Sequence, residues 1–97
     1  MAQVTLPAAT RARIDNYLDY LLGQWRRIPE IAAEWDQWED YEQFDFVIEW
    51  PIREDRLLQL RGWDDEGLLT PEQRARFADL LALIDRHRPT LDRLLTD

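Results

Sequence analysis

The chain has 97 residues, of which 45% are hydrophobic and 33% are charged, and this length is typical of one domain, residues 1–97. The balance excludes a disordered tail, which would be poorer in apolar residues, and a membrane protein, which would be richer. A net charge of -8 opposes direct binding to nucleic acid and to anionic membranes. The sequence shows neither a signal peptide nor an apolar run long enough to span a bilayer, so we expect a cytoplasmic protein.

The side chains that carry much of enzyme catalysis are scarce. The sequence contains no cysteine and no serine, and its single histidine is His87. Thiolate and serine nucleophiles and cysteine zinc sites are therefore excluded. The three glycines are too far apart to form a phosphate-binding loop. These observations favour a non-enzymatic protein, with no catalytic residue, metal ligand or cofactor assigned.

The prolines divide the chain at intervals of 18 to 22 residues. They stand at Pro7, Pro29, Pro51, Pro71 and Pro89. Proline is favoured at the first position of a helix and disfavoured in its interior. The spacing therefore predicts four to five helices that begin near these positions.

The segment before Pro29 has the apolar spacing of an amphipathic helix, with steps of three and four residues. Its stripe consists of Ile14, Tyr17, Leu18, Leu21, Leu22, Trp25 and Ile28. A second helix is predicted from Pro29 to about Tyr41, with Ile31, Trp35 and Trp38 on its apolar face.

The next segment is ambiguous. Alternate positions are apolar, namely Phe44, Phe46, Ile48, Trp50 and Ile52. Such alternation is typical of a strand, because two-residue steps on a helix rotate by about 200° and give no single face. However, the only other strand candidate is residues 4–6, and a lone strand cannot satisfy its backbone. We expect a helix that is buried on several sides, with a short strand at residues 44–50 as the alternative.

The C-terminal part carries clear helix signals. A helical pattern runs from Ile52 to Trp63 and should end at Gly67, or earlier near Gly62. Thr70 and Gln73 then form a predicted capping box around Pro71. The stripe that follows consists of Phe77, Leu80, Leu81 and Ile84, and Pro89 should kink or restart this helix. The predicted fold is all-α, a small single-domain bundle of four to five amphipathic helices.

The negative charge is concentrated in the middle of the chain. Residues 1–29 carry a net charge of +2 and residues 56–97 a net charge of -1, whereas residues 30–55 carry ten carboxylates and one arginine, a net charge of -9. This acidic aromatic segment, residues 30–55, also contains six aromatic residues. Carboxylates that serve solubility alone should be spread along the chain, so an excess of negative charge confined to one segment indicates another role.

The aromatic residues of the segment are expected to divide between core and surface. Large apolar side chains are usually inside, so we expect Trp35, Phe46 and Trp50 in the core, with one or two of the six rings partly exposed. Exposed rings can anchor a partner while carboxylates steer a basic one. The sequence therefore predicts a basic protein partner. The predicted contact residues are Asp36, Trp38, Glu39, Asp40, Tyr41, Glu42, Asp45 and Glu49.

In composition, though in no specific motif, the chain resembles small acidic bacterial proteins that neutralise a basic partner, such as antitoxins, immunity proteins and nuclease inhibitors. The resemblance implies a binding protein that docks on a basic toxin or nuclease and blocks its nucleic-acid site.

Two alternative functions belong to other classes. Carboxylates recur at every third position at Asp36, Glu39, Glu42 and Asp45, and all-helical nucleotide pyrophosphohydrolases hold magnesium with carboxylates from two helices. Three-residue steps rotate by about 60° backwards on a helix, so these four cannot share one ion without a second helix. The first alternative is therefore a divalent-metal-dependent nucleotide hydrolase assembled in a dimer. The second is a structural homodimer that buries the aromatic surplus.

Overall fold

Between residues 7 and 96 the chain folds into three long helices and one short helix. The computed structural model describes residues 7–96. The elements are α1 (Ala8–Arg26), α2 (Ile28–Glu34), a 3-10 turn (Trp35–Gln37), α3 (Asp40–Asp65) and α4 (Pro71–Thr96). No strand occurs in this part of the chain, so the predicted all-α class is confirmed. The predicted count of four to five amphipathic helices is slightly too high, because only α1, α3 and α4 are long.

The excess in the predicted count comes from two prolines. Pro29 lies in the first turn of α2 and Pro71 opens α4, as expected. In contrast, Pro51 lies inside α3 and Pro89 inside α4. Each of these residues removes one helical N–H donor. Both helices nevertheless continue, since buried apolar residues stand before and after each proline and hold the two halves against the same core.

Helix α1 lies at the centre of the fold and packs against both α3 and α4. Six members of its predicted stripe are buried and the seventh, Tyr17, is half-buried. The rings of Trp25 and Trp50 meet edge to face with centroids 5.2 Å apart, and Tyr17 lies 5.2 Å from Trp63. These two pairs show that α3 runs antiparallel to α1. Helix α4 runs parallel to α1, since Arg76 contacts Asp15 and Arg88 lies 4.9 Å from the Trp25 ring.

The predicted capping box is confirmed at the start of α4. The backbone N–H of Gln73 donates to Thr70 Oγ1 at 3.1 Å, and the backbone N–H of Thr70 donates to Gln73 Oε1 at 3.0 Å. The Gln73 side chain is buried and also donates to Asp15 Oδ1 and to the carbonyl oxygen of Arg11. One residue therefore caps α4 and ties it to α1.

The boundaries of α3 differ from the prediction at its N-terminal end. The predicted second helix stops at Glu34 rather than near Tyr41. Trp38 then adopts an extended backbone, because the rings of Trp35 and Trp38 turn back onto Phe46, with centroids 5.5 and 6.0 Å from it. At the other end, α3 passes through Gly62 and stops before Gly67, which has a φ of 73°.

Residues 44–50 are helical, so the strand alternative is wrong. The expectation of burial on several sides is also wrong, because Phe46 and Trp50 are buried but Phe44 and Ile48 are exposed. The other strand candidate, residues 4–6, lies outside the described residues.

The fold is elongated. Its extents are 54 × 22 × 17 Å and its radius of gyration is 15.6 Å, whereas a compact chain of this length has a radius of gyration of about 12.5 Å. Helix α3 packs against α1 and makes little contact with α4. One side of α3 consequently has no neighbour among the described residues. No helix within residues 7–96 is long and apolar enough to cross a membrane.

Candidate functional site

Helix α3 carries two apolar faces on opposite sides. Because a two-residue step rotates by about 200° on a helix, an alternating apolar pattern separates into two stripes. The buried stripe consists of Phe46, Trp50, Leu57 and Leu60. The other stripe, here called the outer stripe, consists of Tyr41, Phe44, Ile48 and Ile52. The alternation that resembled a strand is thus the signature of a helix with two apolar faces.

The outer stripe is exposed to solvent along its whole length. The exposed fractions of its side chains are 68% for Tyr41, 63% for Phe44, 57% for Ile48 and 51% for Ile52. The four residues follow steps of three, four and four, so they lie in one row about 17 Å long. Large apolar residues that are contiguous and exposed mark a contact surface, whereas isolated ones do not.

Most carboxylates of the acidic aromatic segment have no counter-charge. Among the described residues, only Glu54 of the ten acids in residues 30–55 forms an ion pair. The other nine are exposed. The single arginine of the segment, Arg53, donates to Gln24 Oε1 at 2.9 Å and to the carbonyl oxygen of Glu49 at 3.0 Å. It forms no ion pair with a carboxylate among the described residues.

Glu54 has a structural role that sets it apart from the other nine. Its Oε1 accepts hydrogen bonds from Arg88 Nη1 at 2.6 Å and from Trp50 Nε1 at 2.9 Å. Partial burial acts to raise the pKa of this carboxyl, but the hydrogen bonds from Arg88 and Trp50 and the charges of Arg88 and Arg61 outweigh it. The pKa of Glu54 consequently lies below its ordinary value of 4.5. This network joins α3 to α4 next to the buried Trp50.

Several arginines outside the segment are also occupied within the protein. Arg56 lies over the rings of Tyr17 and Tyr20, with 5.6 and 4.4 Å to the ring centroids. Arg76 pairs with Asp15 and Asp19. These contacts place positive charge on the side where α1 meets its neighbours. Neither arginine forms an ion pair with the nine exposed carboxylates of the acidic aromatic segment, which therefore keeps its excess of negative charge.

Asp45 and Glu49 form an acidic edge along one side of the outer stripe. They are one helical turn apart and project next to Ile48 and Ile52 on the helix surface. The same edge borders a cleft of about 290 Å³ between α3 and the end of α1 with α2. The cleft is lined by Trp38, Phe46, Glu42, Asp45, Glu49 and Arg27, among others. Aromatic, apolar, carboxylate and guanidinium groups thus meet on this side of α3.

No protein-family model matches the sequence, and no curated protein or solved structure is significantly similar to it.

The eight predicted contact residues occupy three different settings. Tyr41 belongs to the outer stripe, and Asp45 and Glu49 form its acidic edge. Trp38 is half-buried against Trp35 and Phe46. The remaining four are exposed and lie around the start of α3, namely Asp36, Glu39, Asp40 and Glu42.

Two of these acids contribute to the start of the helix. The backbone N–H of Glu39, the residue before α3, donates to Glu42 Oε1 at 3.1 Å. Glu42 therefore satisfies part of the helix terminus, and carboxylates near this end also interact favourably with the helix dipole. A partner contact through Glu42 would compete with this hydrogen bond.

The sequence-based prediction missed Phe44, Ile48 and Ile52. Their signal is the alternating apolar pattern, which by itself does not distinguish a helix buried on several sides from a helix with one exposed apolar stripe. The expected core positions of Trp35, Phe46 and Trp50 are confirmed, and two of the six rings, Tyr41 and Phe44, are exposed.

The carboxylates do not converge into a metal site. Within residues 7–96, no group of three or more histidine, aspartate and glutamate side chains is arranged to hold a metal ion. The row of Asp36, Glu39, Glu42 and Asp45 spans the 3-10 turn, the extended residue Trp38 and the first two turns of α3.

Proposed function

We propose that this protein is a small acidic binding module that docks on a basic protein partner through the acidic aromatic segment, residues 30–55, and neutralises the partner's positive surface. Carboxylates without counter-charge and exposed aromatic rings coincide on α3, and this coincidence supports the proposal. Rings supply contact area at low entropic cost, and unpaired carboxylates attract and orient a basic surface. A partner of the toxin or nuclease type, whose basic surface binds nucleic acid, has the required chemistry.

The location of the charge supports this function over a solubility role. Charges that serve solubility need no particular position, but here they lie next to a row of exposed apolar residues. Burying the outer stripe against a neutral partner would also desolvate Asp45 and Glu49 without compensation, which is unfavourable. A basic partner removes this cost by supplying arginine or lysine.

Affinity purification from the source cells with three baits tests the proposal. The baits are the wild type, an α3 variant with Asp40→Asn, Asp45→Asn and Glu49→Gln, and an α4 variant with Asp79→Asn, Asp85→Asn and Asp92→Asn. The α4 acids are also exposed on a long helix, so the third bait controls for loss of net charge. Glu42 is left intact because it caps α3.

The expected result is one basic protein that the wild type and the α4 variant retain and the α3 variant loses. Its association rate with the purified wild type should fall as salt is raised, because screening weakens the attraction. Equal retention by all three baits, or retention of an acidic protein, would contradict the proposal.

A further inference from the structure

The outer stripe has the geometry of a helix–helix seam. Tyr41, Phe44, Ile48 and Ile52 recur in steps of three and four, the spacing with which apolar residues of one helix pack into the gaps of another. A strand presents side chains with a period of two on a flat surface and would match only part of such a row. The curved apolar row therefore favours a helical occupant with the same spacing.

The charges beside the stripe determine the chemistry of that occupant. Asp45 and Glu49 border the row on one side, and Asp55 follows Ile52 at its C-terminal end. None of the three forms an ion pair among the described residues. A helix that covers the stripe must bring basic side chains to these positions, as charged residues do beside the apolar seam of a coiled coil.

A second copy of this chain does not meet this requirement. Its own segment 30–55 carries a net charge of -9 with one arginine, and that arginine already donates to Gln24 and to the backbone. Pairing two outer stripes would place like charges together in a partly desolvated interface, which costs free energy. Charge complementarity thus favours a different, basic chain.

We propose that the outer stripe of α3 binds an amphipathic basic helix of the partner, with apolar residues at steps of three and four and with arginine or lysine beside them facing Asp45 and Glu49. This inference rests on the proposed function and specifies the structural element that the partner uses. The row of about 17 Å corresponds to about three turns of the bound helix.

Three synthetic peptides of about 16 residues, or about 24 Å of helix, test the inference on the full chain. The ordered peptide carries leucine at steps of three and four with arginine between. The scrambled peptide has the same composition without this spacing, and the acidic peptide replaces each arginine by glutamate. Binding is measured by calorimetry, and peptide helicity by circular dichroism with the protein signal subtracted.

Variants of the protein locate the binding surface. Phe44→Asp and Ile48→Asp alter the outer stripe, and Ala82→Asp is the control because it adds the same charge at an exposed position on another helix, α4. We expect the ordered peptide to bind with a Kd on the order of micromolar and to become helical. Each stripe variant should weaken binding about tenfold or more, and the control by less than about twofold.

The outcomes separate this inference from the proposed function. Equal binding of the ordered and scrambled peptides would overturn the helical occupant while leaving a basic partner in place. Preference for the acidic peptide would overturn both. Failure of the ordered peptide to bind would overturn the inference alone, since the purification experiment decides the proposed function independently. Dimerisation of the isolated chain that Phe44→Asp abolishes would show that a second copy occupies the stripe, and would also overturn the inference.

Discussion

Phe44 and Phe46 stand two positions apart on α3 but face opposite sides of the helix, with exposed fractions of 63% and 8%. The ring of Phe46 lies 5.5 Å from Trp35 and 5.4 Å from Trp50, measured between centroids. One helix therefore presents the same side chain both to the core and to solvent. Because the chemistry of the two residues is identical, their comparison isolates the effect of position.

Truncating the two phenylalanines should have very different effects on stability. Phe46→Ala removes a buried ring and leaves a cavity, so we expect the free energy of unfolding to fall by about 3 kcal/mol. Phe44→Ala removes an exposed ring and should change it by less than about 0.5 kcal/mol. Urea unfolding followed by far-ultraviolet circular dichroism measures both. A large loss for Phe44→Ala would show that this ring belongs to the core and that the outer stripe is not free.

Elements with a single apolar face could be predicted from the sequence. The apolar stripe of α1 and the capping box of Thr70 and Gln73 are patterns of nearby residues, so predicting them needs no knowledge of distant contacts. In α3, by contrast, two stripes are superimposed, and their sum has the period of a strand. The pattern alone does not tell which stripe will find a neighbour, because that depends on how α1 and α4 are placed.

The prolines and the charged residues also depend on contacts that the local sequence does not reveal. Whether Pro51 and Pro89 start a helix or lie inside one depends on packing that is available to both halves of the helix. Likewise, Glu54 differs from the other acids of its segment only because Arg88, thirty-four residues away, reaches it from α4. A pairing across that separation has no local signature.

The pairing of Glu54 and Arg88 should make stability depend on pH. A carboxyl whose pKa is lower in the folded than in the unfolded chain contributes stability that is present above its unfolded pKa and is lost as the pH falls through the folded value. The pKa of Glu54 lies below 4.5 in the fold. The wild type should therefore exceed Glu54→Gln in stability at neutral pH, and the difference should shrink below about pH 4.5.

The expected difference at neutral pH is about 0.5 kcal/mol, because partial exposure of both side chains screens the pair. Urea unfolding at a series of pH values between about 7 and 3 measures it. In an Arg88→Met background, which keeps an apolar stem over Trp25, the same substitution should have a smaller and flatter effect. A wild-type advantage that stays constant down to pH 3 would argue against the assigned pairing.

The capping box at the start of α4 should contribute measurably to stability. Thr70→Ala removes the oxygen that accepts from the Gln73 N–H, so we expect a loss of about 1 kcal/mol in the free energy of unfolding. Thr70→Ser keeps this acceptor and should restore most of the loss. Thermal unfolding of the three proteins tests the expectation, and equal losses for alanine and serine would point to the threonine methyl group instead.

The acidic edge should cost stability in the free protein. Asp45 and Glu49 are like charges one helical turn apart, and such pairs destabilise a helix by about 0.2–0.5 kcal/mol. Glu49 is left intact because Arg53, four residues later, offsets part of its charge, so we expect Asp45→Asn alone to be more stable than the wild type at low ionic strength. The gain should largely disappear at about 1 M salt, where the screening length is about 3 Å.

Asp79→Asn is the control of opposite sign, because Asp79 lies three residues after Arg76 on α4 and its charge is favourable there. If Asp45→Asn is less stable than the wild type at low salt, this carboxylate supports the fold, and partner binding is not needed to explain why it stands beside the outer stripe.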